Sequence, residues 1–211
     1  MGYGAERRRR RSIRLKGYDY SQAGAYFVTI CTEDREWVLG EVVAGEMRPN
    51  DAGAITLAVW EDLPRHYGHV RVDVFVVMPN HVHGIIVLTD DVTADVGTGA
   101  VGVDDVGVGT GAGLKPAPTE HAPTQRRQGL PEVVRAFKTF SARRINALRG
   151  TPGVAVWQRN YYEHVVRDER ALDAIRQYVA DNPARWVWDR YNPQAAGPDA
   201  QAAELWRMVR E

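Results

Sequence analysis

Two apolar, β-branched runs separated only by Pro79-Asn80 constrain this chain most strongly. Val70-Arg-Val-Asp-Val-Phe-Val-Val-Met78 and His81-Val-His-Gly-Ile-Ile-Val-Leu88 are rich in residues that suit pleated backbone. The Pro-Asn pair between them is a turn signal. Strands joined by so tight a turn pair antiparallel. Side chains alternate along a strand, so Val70, Val72, Val74 and Val76 share one face. The same alternation brings His81 and His83 to one face and turns Val82 to the other.

Further elements follow from composition and period. Ala25-Tyr-Phe-Val-Thr-Ile-Cys-Thr32 reads as a buried strand. Trp37 to Leu39 and Glu41 to Arg48 suggest a hairpin around Gly40. Asp51 is placed to cap a helix reaching Tyr67, with Ile55, Val59 and Leu63 at helical spacing and Pro64 in its last turn. Leu130 to Leu148 reads as a helix whose buried side is Val133, Val134, Phe137, Phe140 and Ile145. Val156 to Val166 is extended. A last helix starts at the N-cap Asp168 and ends at Pro183. Strands and helices in this order predict an α+β fold, an antiparallel sheet with helices packed on one face.

The 211 residues suffice for one domain. Residues 1–16 form a basic arm, with Arg7, Arg8, Arg9, Arg10, Arg11, Arg14 and Lys16 placing seven positive charges in ten residues. Such a run is either a solvated arm or one that seeks phosphate. A single domain is expected over 17–193, interrupted at 89–128 by a flexible insertion. Seven glycines between Gly97 and Gly113, then Pro116, Pro118 and Pro123, offer little area to offset the entropy of ordering. Residues 194–211 form a tail; Trp186, Trp188 and Trp206 beyond the last helix receive no assigned element. One cysteine, Cys31, leaves no disulfide framework and no Cys-rich zinc site. The N-terminus lacks the apolar core of a signal peptide, and no apolar run spans a membrane; a cytoplasmic protein is expected. Net charge is zero, so only the local basic clusters point toward nucleic acid.

His81 and His83 make half of a metal site, or else two histidines on a half-exposed strand. On the last helix Leu172, Ile175 and Val179 form the core stripe. Tyr178 lies at its edge and Asn182 one turn on. Alone, Tyr178 reads as a packing residue and Asn182 as a helix stop before Pro183. If that face meets the histidine strand, a hydroxyl nucleophile and a third ligand converge on one metal.

Val77-Met-Pro-Asn-His-Val-His-Gly-Ile-Ile-Val87 resembles the HUH signature of the single-tyrosine transposases of insertion sequences. The resemblance is strongest to the REP-associated tyrosine transposase branch. Tyr26-Phe-Val-Thr-Ile-Cys-Thr32, Leu63-Pro-Arg-His-Tyr67, Phe137-Lys-Thr-Phe-Ser141, Trp157-Gln-Arg-Asn-Tyr-Tyr-Glu-His164 and Tyr178-Val-Ala-Asp-Asn-Pro183 resemble the same family in the same order. The resemblance implies a ferredoxin-like HUH fold, with His81 and His83 as metal ligands and Tyr178 as the catalytic tyrosine on a C-terminal helix. Asn182 falls where insertion-sequence members carry a glutamine ligand, one methylene longer.

The expected chemistry is metal-assisted cleavage of single-stranded DNA, probed beside hairpins, with Mg²⁺ or Mn²⁺ as the ion. Attack by Tyr178 gives a 5′-phosphotyrosine and a free 3′-OH, and rejoining needs no ATP. Tyr161 and Tyr162 are rival nucleophiles without a ligand one turn away. Arg7 to Arg11, Lys138, Arg143 and Arg144 are candidates for DNA contact. The resemblance implies a homodimer. A domesticated, non-catalytic DNA-binding protein and a metal-dependent hydrolase or replication-initiator relative are the other readings.

Overall fold

A computed structural model describes residues 15, 17–90 and 128–209. The basic arm at Arg7 to Arg11 and the Gly- and Pro-rich stretch 91–127 lie outside the described residues.

Four strands form the main sheet: β1 (Gly24–Cys31), β4 (Val70–Met78), β5 (His81–Leu88) and β6 (Tyr162–Val166), in the order β4-β5-β1-β6. Every neighbouring pair is antiparallel. The expected hairpin at Pro79-Asn80 is the β4–β5 connection, with Met78 opposite His81. A separate hairpin pairs β2 (Gly40–Val43) with β3 (Glu46–Pro49). The helices are α1 (Asp51–Glu61), α2 (Leu63–His66), α3 (Leu130–Arg149), α4 (Glu169–Ala180) and α5 (Ala200–Met208).

The α+β class is as read from the sequence, but the helices do not all share one face. Tyr26, Val28, Ile30, Val82 and Ile86 meet Trp60 of α1 and Val133 and Phe137 of α3. Phe27 and Ile85 point the other way, onto Ile175, Tyr178 and Val179 of α4. The cause is in the strands: β1 and β5 are buried on both faces, so both faces need a cover. Burying a side chain as large as Phe27 or Phe137 contributes roughly 2–3 kcal/mol.

Local chemistry explains the remaining departures. The helix expected from Asp51 to Tyr67 breaks at Asp62, and Pro64 opens α2. Its N-cap is Asn50, whose side chain accepts from the Gly53 amide, and not Asp51. Phe140, expected inside, is 42% exposed and stacks on His66. Of the extended segment only Tyr162–Val166 joins the sheet, while Trp157 makes an isolated bridge to Thr32. Asp168 caps α4 as expected, accepting from the Ala171 amide at 2.8 Å. After α4 the chain forms a 3-10 helix, Pro183–Trp188, and the tail folds as α5. No helix among the described residues is long and apolar enough to cross a membrane.

Candidate active site

The site lies where β5 meets α4 and the segment after it. Register places His83 opposite Thr29 and His81 opposite Cys31 in β1. Both imidazoles are essentially without solvent exposure. Thr29 Oγ1 lies 2.8 Å from His83 Nδ1, and Asn80 Oδ1 lies 2.9 Å from His81 Nδ1. Asn80 Nδ2 donates to the carbonyls of Tyr191 and Arg35, which fixes the amide and leaves Oδ1 as an acceptor. His81 therefore carries its proton on Nδ1 and presents the Nε2 lone pair. The two Nε2 atoms are 3.1 Å apart.

Tyr178 arrives from α4. Its ring centroid is 5.4 Å from that of His83 and 6.2 Å from that of Phe27. Trp206 of α5 packs against it at 5.7 Å, and the Arg185 guanidinium lies 5.8 Å from its centroid. Asn182, also buried, lies close enough to the Tyr178 hydroxyl and the Asp189 carboxylate to lower the pKa of each. Its Oδ1 has no partner.

Asp189 is the site residue that sequence reasoning missed. It stands in the loop after the 3-10 helix, accepts from the Tyr191 amide at 2.6 Å, and is nearly buried. Ligand atoms of His81, His83 and Asp189 all lie within 4.8 Å of one another. Its sequence signal was faint: one carboxylate inside Trp186-Val-Trp-Asp-Arg-Tyr191, with no periodic relation to the histidines.

The electrostatics suit a cation. Burial, the other histidine and the nearby Arg35 and Arg190 hold His81 well below 6.5. Burial and Arg190 push His83 down to about 3. Both are neutral donors at pH 7. Burial raises Asp189 to about 6, and Tyr178 is raised above the ordinary phenol value by burial, then by Asp189 and Tyr191. Two neutral imidazoles, a buried carboxylate and an unpartnered amide oxygen fit a divalent ion.

The other predicted residues do not join this group. Lys138 donates to the carbonyls of Gln158 and Arg159, and burial lowers its pKa. That internal bonding, on a helix across the opposite face of the sheet, withdraws it from phosphate. Arg143 and Arg144 are exposed on the same helix. Tyr162 is the exception: it lines a small cavity together with His83 and Tyr178, its ring 6.3 Å from that of Phe27. Tyr161 packs with the opposite core.

Fold and site together define an α+β protein with paired histidines on a central strand and a tyrosine-bearing helix laid over them. A Haemophilus influenzae protein of uncharacterized function is 36% identical over 191 residues, covering 89% of this chain and 96% of its own. The chain belongs to the same family as that protein. No family model matches it. Among solved structures, a REP-associated tyrosine transposase bound to a REP hairpin aligns over 84% of this chain and 77% of its own. The TM-score is 0.50 at 15% identity, a likeness of fold. The resemblance read from the ordered motifs is borne out at that level.

Proposed function

We propose that this chain is a transposase-type enzyme that nicks and joins single-stranded DNA through Tyr178. The observation that carries the reading is the seating of Tyr178 against His83, over a buried cluster of three donors. His81, His83 and Asp189 would hold Mg²⁺ or Mn²⁺, with Asn182 oriented beside them. When bound, the ion would polarise the scissile phosphate and lower the cost of charge on the attacking oxygen.

The chain's own residues account for the rest. Tyr178 Oη attacks phosphorus, the bond to the 3′ oxygen breaks, and that oxygen leaves as a 3′-OH. The phosphate stays on the tyrosine, attached to the 5′ side of the downstream strand. Asn182 favours the phenolate, against the burial and the carboxylate field that raise its pKa. Asn80 holds His81 in the tautomer whose Nε2 lone pair is free for a metal, and Thr29 orients the His83 ring.

Hairpin-bearing single strands are the proposed substrate, in a cytoplasmic setting. Arg7 to Arg11, Arg143 and Arg144 are proposed to meet phosphates away from the centre. A homodimer extending one of the outer strands, β4 or β6, is proposed from the family resemblance. A monomer by sedimentation, with and without DNA, would count against it.

The test is cleavage of labelled hairpin DNA taken from beside the gene, with and without Mn²⁺. Metal-dependent nicking is expected; binding without nicking across several hairpins sinks the catalytic reading. That second outcome would favour a non-catalytic DNA-binding protein, a reading consistent with the burial of Tyr178 at 6% exposure.

A further inference from the structure

Beside Tyr178 opens a cleft of about 620 Å³ between the segment after the 3-10 helix and α5. Tyr178, Trp188, Arg190, Pro198, Trp206 and Arg207 line it. Its size falls within the roughly 300–1,000 Å³ of small-ligand sites. Trp188 is 46% exposed, an unusual place for an indole unless something covers it. Trp206 is half-buried, its ring 5.1 Å from Phe27 and 5.7 Å from Tyr178, so it is a rigid wall.

The charges are sorted. Asp199 is tied to Arg185 and caps α5, and Asp189 faces His81. The side chains left exposed in the cleft are cationic: Arg190 and Arg207. Arg207 has only a distant surface partner, Glu204, at 3.8 Å. An exposed aromatic face flanked by cations, opening on the nucleophile, matches one ligand chemistry: an unpaired base on a phosphodiester strand.

Resting on the reading above, we infer that this cleft holds one unpaired nucleotide next to the scissile phosphate. Its base stacks on Trp188 and its phosphate meets Arg190 and Arg207. Trp188 is thus a positioning residue that selects single-stranded over paired DNA at this point, because a base within a duplex has no face to offer.

The experiment measures binding of fluorescent hairpin oligonucleotides by wild type, Trp188→Ala, Trp188→Phe and Phe140→Ala, the last an exposed aromatic on the opposite side. Each oligonucleotide is intact or carries one abasic nucleotide, moved along the unpaired strand. Trp188→Ala is expected to weaken binding of the intact strand on the order of tenfold. Trp188→Phe should retain most of the affinity and Phe140→Ala all of it. At one abasic position wild type should lose the same factor and Trp188→Ala nothing further. Equal binding by Trp188→Ala, or an equal loss at every abasic position, overturns the inference. Coupling at one position without a covalent adduct upholds it and overturns catalysis. An adduct without that coupling overturns this inference alone, and no DNA binding overturns both.

Discussion

The Asp189 carboxylate stands 3.8 Å from His81 Nε2, and because that histidine is neutral the approach sets two electron donors face to face. Among the described residues Asp189 has no cationic salt-bridge partner, and the lowering effect of nearby Arg190 does not outweigh burial. With a folded pKa of about 6 against an ordinary 3.8, the folded state binds the proton more tightly than the unfolded chain. The penalty is therefore absent below about pH 4 and complete above about pH 6. Asp189→Asn should raise metal-free stability on the order of 2 kcal/mol at pH 7 and by little at pH 4. It should also abolish the stabilisation given by Mn²⁺. Denaturant unfolding at both pH values, with and without Mn²⁺, checks this; a less stable metal-free variant at pH 7 contradicts it.

Gly84 sits beneath the Trp60–Phe75 stack, whose ring centroids are 4.3 Å apart. A Cβ there would fall 2.6 Å from Trp60 and 2.8 Å from Phe75. Both rings are packed and cannot retreat without moving α1. Gly84→Ala should cost about 1–3 kcal/mol. It should also shift β5, weakening metal affinity through His83 next to it. Thermal unfolding and Mn²⁺ titration together report both effects.

Arg176 ties α4 to β4 through Asp73 Oδ2 at 2.7 Å, two residues before the tyrosine. Burial works to raise the Asp73 pKa, but hydrogen bonds from Arg176 and the Val74 amide outweigh it and hold the carboxyl below its ordinary value. A depressed carboxyl contributes stability above the unfolded value, and that contribution fades as pH falls through the folded one. Arg176→Ala should cost up to about 1 kcal/mol at pH 7 and less in acid. The rate of DNA cleavage should fall further than stability does, because the helix bearing Tyr178 loses its tether. Equal cleavage rates for variant and wild type would refute that link.

Lys138 looks like a phosphate contact in sequence and behaves as a strut in the fold. Lys138→Met should lower stability by about 1 kcal/mol through two lost carbonyl bonds. The salt dependence of DNA binding should not change. Arg143→Ala and Arg144→Ala should each lower its slope by about one. A reduced slope for Lys138→Met would restore it to the DNA surface.

Period-two alternation made the histidine face legible, and helical spacing made the Tyr178–Asn182 face legible, since each depends only on neighbours along one element. Contacts between elements were harder to see. Asn80 read only as a turn residue, yet its amide orients His81. Thr29 read only as strand, yet it orients His83. Asp189 and Trp206 lie after the last helix read from the sequence, where no periodic pattern was legible, and only the fold brings them to the tyrosine. The second-face position of α4 was hidden for a related reason: a run such as Tyr26-Phe-Val-Thr-Ile is apolar on both sides and does not say which helix covers which.

On the proposed mechanism Tyr178 becomes covalently joined to DNA. Wild-type protein, incubated with hairpin DNA and Mn²⁺ and then digested, should yield the Tyr178 peptide carrying a 5′-linked nucleotide by mass spectrometry. Tyr178→Phe should yield none while still folding and binding DNA. An adduct on Tyr161 or Tyr162, or one that survives in Tyr178→Phe, would contradict the account.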